Sequence, residues 1–297
     1  MLKYTPGQLR TFLAVAQTGS VAEAAEALLV SQPAVSSALA SLRRACGTAL
    51  VEREGRGLRL TEAGRVLAAY GRRLFALADE ADTQVRAAGN AGTVRLRLAA
   101  VTTVAEYILP QPLRLVAQKH PEIQVQLDVG NRGQVWERLA NWETQVVVAG
   151  RPPPDRPFRS IARRANEIVL IGQSSGSLDA GALARASWLL REPGSGTRAM
   201  TQEFFDDLGI VPENQLTIGS NGAIRECVRA GLGIALQSRD AVRRELKSRA
   251  LGEIKAPIAV RGREWHVVVN KERDLPNSIG AFVGDMIDAL GFAPERS

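Results

Sequence analysis

Apolar residues recur at helical spacing through the N-terminal third of the chain and then give way to short apolar runs, so the architecture changes near residue 93. Thr5-Pro6-Gly7-Gln8 joins a capping threonine, a proline suited to the first helical turn and a glutamine three residues on, which predicts a helix running to Gly19. Ser20 and Glu23 repeat that signature for a short second helix, with Val21, Ala24, Ala25 and Leu28 as its apolar stripe. A third helix opens at Ser31-Gln32-Pro33 and stops at Gly47. At about 100° per residue, Val35, Leu39 and Leu42 fall on its inner side, and Pro33, Ser36, Ser37, Ala40 and Arg44 on its outer side. Leu50–Arg53 and Leu58–Thr61 read as strands on either side of Glu54-Gly55-Arg56-Gly57, a hairpin.

A long helix follows from Thr61 to about Ala88, with Leu67, Tyr70, Leu74, Leu77 and Ala81 at steps of three and four. Such a seam predicts a second copy of the chain as its partner, and Ala87–Thr93 reads as a hinge linker. The expected division is a winged helix-turn-helix over 1–60, a dimerisation helix over 61–88 and a ligand-binding domain over 89–297. From Val94 short apolar strands alternate with helices: VRLRLAAV, IQVQLDVG, VVVAG, then IVLIG, WLLRE, QLTIGS and IALQS, with EWHVVVN near the end. That is the rhythm of βα units around a parallel sheet, in an α/β fold of two lobes, about 93–162 with 268–297 and about 163–267.

A cleft between such lobes suits a small ligand. Three strand-to-helix junctions carry small polar residues: Thr102-Thr103, Ser195-Gly196-Thr197 and Ser220-Asn221. Converging, they would form an anion site, because free helix amides and the helix dipole favour carboxylate or phosphate. Arg198 would add a charge-assisted clamp, and Asn131-Arg132-Gly133, after another strand, a further rim.

Length and charge sharpen this picture. At 297 residues and 45% hydrophobic, the chain is long enough for several domains. The net charge of +7 matters through its distribution, since Arg43, Arg44, Arg53, Arg56, Arg59, Arg65, Arg72 and Arg73 crowd one stretch against Glu52, Glu54 and Glu62. Together with capped helices and a hairpin, this points to double-stranded DNA: the outer side of the third helix in a major groove, Gln32 on a base or phosphate, and Arg53, Arg56 and Arg59 on phosphate or minor groove. Cys46 and Cys227 are too few for a disulfide framework, so a reducing compartment is expected. With no apolar signal core and no run of membrane-spanning length, the expectation is a cytoplasmic protein without membrane contact. No spacing suggests a metal and no complete phosphate loop is present, so no cofactor is expected.

Two rival classes stand beside a DNA-binding regulator. Gly172-Gln173-Ser174-Ser175-Gly176 fits the nucleophile-elbow pattern of an α/β hydrolase, with Ser174 as nucleophile and only His120 or His266 as base. Ser177-Leu178-Asp179-Ala180-Gly181 reads as loop where an elbow needs a helix, so no enzyme is expected. A free-standing solute-binding protein would suit the C-terminal part alone, but not the N-terminal module.

The run GSVAEAAEALLVSQPAVSSALASLRRACGTALVEREGRGLRLTEAG resembles the signature of LysR-type transcriptional regulators, and the resemblance continues over essentially the whole chain. It implies DNA contacts at Gln32, Pro33, Ser36, Ser37, Arg53 and Arg56, a periplasmic-binding-protein-like effector domain, and dimers that assemble further into tetramers. RNA polymerase is carried as a further candidate partner. The sequence departs from the family pattern at Ser37, where a basic residue is frequent, and at Arg43, where an acidic one is. GNRGQVWERLAN, AGRPP, REPGSGTR and GSNGAIRECVRAGLGIALQS are similar to the subgroup that regulates carbon-dioxide-fixation operons, RuBisCO genes included. That likeness implies a phosphorylated or carboxylated effector: sugar phosphates, phosphoenolpyruvate or nicotinamide nucleotides. Gln173–Ser177 departs from the subgroup's usual loop, which is proline-rich and acidic or carries a histidine.

Overall fold

The computed structural model describes residues 3–55, 57–88 and 93–295. Its contacts divide the chain into two compact units, one containing the elements up to Val85 and the other every strand and helix from Val94 onward. The first unit comprises α1 (Pro6–Thr18), α2 (Val21–Leu28), α3 (Gln32–Cys46), the antiparallel hairpin β1 (Val51–Glu54) and β2 (Gly57–Leu60), and α4 (Glu62–Ala88), whose last turn lies beyond it. The capping box of α1 forms in both directions: Thr5 Oγ1 accepts from the Gln8 amide at 3.2 Å and Gln8 Oε1 from the Thr5 amide at 2.8 Å. At α2 only half of it forms. Ser20 Oγ accepts from the Glu23 amide, but the Ser20 amide donates to Thr18 Oγ1 at 3.2 Å, which leaves the Glu23 side chain exposed.

Two apolar clusters hold this unit together, Leu9, Phe12, Leu42, Leu50 and Ala68 in one, Val15, Ala24, Ala25 and Val35 in the other. The hairpin differs slightly from expectation because Leu50 is buried and its carbonyl accepts from the Thr61 amide at 3.1 Å instead of from the ladder. Thr61 leaves the ladder in turn to cap α4, accepting from the Gly64 amide at 3.0 Å. That cap explains Gly64: a Cβ there would sit 1.9 Å from the Leu50 carbonyl oxygen, so only glycine lets α4 approach the hairpin.

The second unit opens with β3 (Val94–Val101), α5 (Thr102–Tyr107), α6 (Pro110–Lys119), β4 (Ile123–Gly130), α7 (Arg132–Ala140), β5 (Val146–Ala149) and β6 (Phe158–Asn166). A second lobe follows, with β7 (Ile168–Gly172), β8 (Gly176–Ser177), α8 (Ala180–Arg185), β9 (Ser187–Leu190), α9 (Gly196–Leu208), β10 (Asn214–Thr217), α10 (Asn221–Arg229), β11 (Ala235–Ser238), α11 (Arg239–Ser248) and β12 (Gly252–Lys255). The chain then returns to the first lobe through β13 (Arg263–Asn270), α12 (Asn277–Leu290) and β14 (Ala293–Pro294).

The first lobe's sheet has the order β14-β6-β13-β5-β3-β4. Beneath one face, α6 and α12 bury Val116, Phe282 and Met286 against Leu96, Leu98 and Val267; on the other, α7 seats Trp136 and Leu139 on Ala99, Val147 and Val268. The second lobe holds a sheet ordered β11-β7-β12-β8 and the parallel pair β9–β10, around a core of Trp188, Phe204 and Phe205. Only part of the βα rhythm gives parallel strands. β3 runs parallel to β4 and β5, but β13 is antiparallel to β5 and β6, and β11 and β12 are antiparallel to β7. In each lobe the reversed strand is the one entered directly from a crossing between lobes, β13 in the first and β7 in the second.

The two crossing segments pair with each other from Phe158 opposite Asn270 to Asn166 opposite Arg263, with one register shift between Val267 and Val268. The return strand therefore belongs to the first lobe's sheet from Arg263 onward.

The turn between α2 and α3 stores strain. Leu29 ends α2 with φ 55°, in the left-handed region, and its side chain is 92% exposed. That conformation costs a branched residue roughly 1–2 kcal/mol, and asparagine or glycine adopts it more readily. Replacing Leu29 by Asn is expected to stabilise the protein by about 1 kcal/mol in denaturant unfolding; an unchanged or lowered midpoint would refute the strain.

Candidate functional site

In the first unit, the capped helix α3 presents a polar face. Ser31 Oγ accepts from the Ala34 amide at 3.4 Å, which sets the start of α3, and Val35 and Leu42 are fully buried beneath it. On the opposite side Gln32, Pro33, Ser36, Ser37, Arg43 and Arg44 are exposed and Ala40 is half-buried, so the predicted outer face exists as a single solvent-facing strip. Arg44 donates to Ser41 Oγ at 3.0 Å. In the hairpin Arg53 is exposed, while Arg59 pairs across the strands with Glu52 at 2.9 Å and lies 3.8 Å from Glu54. Arg65 is likewise paired with Glu62. The basic excess of this stretch is thus smaller in effect than its arginine content, and Arg53 stands out among the described hairpin residues. Arg56 lies outside the described residues.

In the second unit a cavity of about 520 Å³ opens at the carboxyl ends of β3, β4, β5 and β9, the usual place for a ligand in an α/β sheet. Thr102, Thr103, Asn131, Ser195 and Thr197 all line it, so residues far apart in sequence meet at one wall. Their local roles differ. Ser195 caps α9 by accepting from the Thr197 amide at 3.3 Å, and Asn131 exchanges capping bonds with Gln134 at 2.8 and 3.0 Å. Neither threonine caps α5, which follows Val101 without a side-chain cap.

Arg198 and Asn221 lie outside the cavity lining. Arg198 donates to the Arg191 carbonyl at 2.8 Å and to Thr217 Oγ1 at 3.1 Å. Asn221 is fully buried: its Oδ1 accepts from Arg191 at 2.6 Å, and its Nδ2 donates to Thr103 Oγ1 at 2.9 Å. It therefore joins the second lobe to the first and orients a cavity arginine at the same time.

Sequence reasoning missed that arginine. Arg191 follows β9, is 5% exposed, and lines the cavity with Arg132, Arg151 and Arg263. Burial pushes the carboxyl of Glu192 up, yet bonds from Arg191 at 2.7 and 2.9 Å outweigh it and hold the acid below the usual carboxylate range. Arg263 pairs with Glu203, and Arg151 lies 3.7 Å from Glu264. With Glu192 counted as the partner of Arg191, four arginines meet three carboxylates here, Glu192, Glu203 and Glu264, and the remaining positive charge favours an anion. A signal for Arg132, Arg151 and Arg191 was present: each stands just beyond the carboxyl end of a strand. Arg263 opens a strand and had none.

The hydrolase arrangement does not form. Ser174 leads into β8 rather than a helix. Neither histidine bonds to it: His120 meets Glu122 and Asp285, and His266 meets Ser160. Among the described residues no group of acids, histidines and cysteines could hold a metal, and no helix is long and apolar enough to cross a membrane.

Comparison with known proteins identifies relatives of both parts of the chain. Residues 6–65 match the family of bacterial regulatory helix-turn-helix proteins of the lysR type, and residues 89–290 match the LysR substrate binding domain. The chain is 34% identical to the HTH-type transcriptional activator CmpR of Synechocystis sp., over 93% of this chain and 92% of that one. It is 31% identical to the RuBisCO operon transcriptional regulator of Allochromatium vinosum, over 93% of each. The regulatory domain of Synechocystis CcmR, solved in complex with 2-PG, superposes with a TM-score of 0.59 at 26% identity, covering 66% of this chain and 97% of that domain. The relatives are regulators rather than hydrolases or solute carriers, and the chain belongs to the LysR family of helix-turn-helix transcriptional regulators.

Proposed function

We propose that this regulator takes a small anionic metabolite into the cavity of its second unit and couples that binding to promoter recognition by its first, at genes of carbon fixation or central carbon metabolism. The observation that carries the ligand class is the cavity wall, where four arginines, Thr102, Thr103, Ser195 and Thr197 and the starts of α7 and α9 line a space of about 520 Å³. Helix starts and guanidinium groups both favour phosphate or carboxylate. Asn221 and Arg198 serve the site indirectly, by holding Arg191 and its backbone. The regulated genes are inferred from the relatives, since the Allochromatium protein is named for the RuBisCO operon.

For DNA, the reading places Gln32, Pro33, Ser36, Ser37, Ala40 and Arg44 against the major groove and Arg53 and Arg56 beside phosphate. Exposed Gln32 and Ser36 and the unencumbered hairpin position of Arg53 support it. Two copies of the chain supply two such helices. Their contact is α4, whose Val66, Tyr70, Leu74, Leu77 and Val85 are all exposed and fall on one face, while Ala68 and Ala76 are buried. Pairs of dimers on promoter DNA in the cytoplasm, within reach of RNA polymerase, complete the reading. The ligand acts by binding one conformation of the regulator more tightly than another.

Footprinting over promoter DNA adjoining the gene, with and without 2-PG, tests the whole; a footprint that no acidic metabolite alters would refute effector control. Replacing Arg53 by Ala is expected to weaken DNA affinity on every sequence and to lower the log–log salt slope by about 0.9. Replacing Gln32 by Ala should instead change sequence preference, by about 1–3 kcal/mol at one base pair. Fluorescence anisotropy at several salt concentrations separates the two, and an unchanged slope in the Arg53 variant would remove that phosphate contact.

Replacing Ser195 or Thr102 by Ala is expected to weaken 2-PG binding about five- to tenfold in calorimetry, as loss of one ligand hydrogen bond requires. Arg191→Met should cost more, since it removes a charge. Wild-type affinity in all three would refute the cavity as the effector site.

A further inference from the structure

His266 lies in the wall of the same cavity, on β13, and is 3% exposed. Its two ring nitrogens have unlike surroundings. Nδ1 is 2.9 Å from Ser160 Oγ, and Ser160 is not part of the cavity wall. Nε2 points the other way, toward Glu264, which is. At 3.7 Å from that carboxylate, Nε2 is too far for a hydrogen bond, and among the described residues it has no other partner although it is buried. A buried polar atom left without a partner calls for a ligand, because its desolvation goes uncompensated.

Ser160 Oγ also reaches the Ala162 carbonyl at 3.4 Å, an acceptor to which the hydroxyl can only donate. The neutral ring carries one proton: on Nδ1 it is donated to Ser160 Oγ, and on Nε2 it faces Glu264 while the Ser160 hydroxyl donates to Nδ1. The charges around the ring balance: Glu264 on β13 and Glu295 beyond β14 against Arg151 after β5 and Arg163 on β6. Burial is the main influence and lowers the imidazole's pKa below its ordinary value, so the unliganded ring is neutral at physiological pH.

We propose that His266 is an effector-binding residue that takes one proton from solvent when an anionic oxygen arrives at Nε2, donating N–H to it and pairing with its charge. This rests on the anionic-effector reading above and adds regulation: effector affinity rises as pH falls. The sign follows from the two states, neutral when empty and cationic when occupied. Between the pKa of the empty form and that of the complex, affinity gains about tenfold for each unit of pH lost.

The test uses the full chain and 2-PG. With only two histidines in the sequence, imidazole resonances are few, and H120Q assigns them. At about pH 7.5, the His266 ring is expected to be neutral alone and cationic at saturating 2-PG. Calorimetry in two buffers of different ionisation heat should then show close to one proton more taken up per 2-PG by wild type than by H266Q. The ligand's own titration is common to both variants and cancels. Should 2-PG bind while the ring stays neutral, this inference fails and the anion site stands. Should 2-PG and inorganic phosphate both fail to bind wild type at any pH from 6 to 8, the anion reading fails and takes this one with it. If H266Q does not fold, the resonance measurement on wild type decides alone.

Discussion

The pairing of β6 with β13 is the constraint on which the ligand-binding unit depends. These two segments carry the chain out of the first lobe and back again, and their hydrogen bonding makes them a single ribbon inside the first lobe's sheet. The second lobe is therefore an insertion between Asn166 and Arg263, both of which line the cavity. Because β3, β4 and β5 end on the same side of that sheet, their following loops open toward the inserted lobe. Thr102, Asn131, Arg132 and Arg151 are brought together by sheet order, not by sequence proximity.

Electrostatics then decides what the cavity can hold. A guanidinium this buried is tolerable only when its donors are used, since desolvating an unpaired charge costs far more than a good ion pair returns. Arg191 meets that condition through Glu192 and Asn221, yet still contributes to the wall. The hairpin of the first unit follows the opposite logic: the Arg59 pairs are solvent-exposed, worth little, and readily exchanged for other anions.

Much of this was legible in the chain. Helix starts at Thr5, Ser20 and Ser31 are local events, set by a hydroxyl reaching an amide three residues on, so spacing alone reveals them. The outer face of α3 follows from the helical period. Thr102, Ser195 and Thr197 could be nominated because strand-to-helix junctions gather at one edge of an α/β sheet. Strand direction in β6 and β13 was not legible, since it is set by where the chain crosses between lobes. Asn221 looked like a ligand group because its junction resembles the others; that it turns inward to Arg191 and Thr103 is a tertiary fact. His266 looked like a packed strand residue, and its unmatched nitrogen emerges only when Ser160, over a hundred positions earlier, is seen to occupy the other one.

The bond between Asn221 and Thr103 gives the cavity a further property. Thr103 belongs to one lobe and Asn221 to the other, and the same amide steadies Arg191. Glu192 and Asn221 hold the guanidinium within its own lobe, and the Thr103 bond ties that same amide to the other lobe, so the setting of this charge is linked to the approach of the lobes. A neutral molecule of matching shape could fill the space without distinguishing open from closed, and would act as a silent competitor. On the effector reading proposed above, an acid that engaged Arg191 would gain from closure and favour it, which would separate an inducer from a mere occupant.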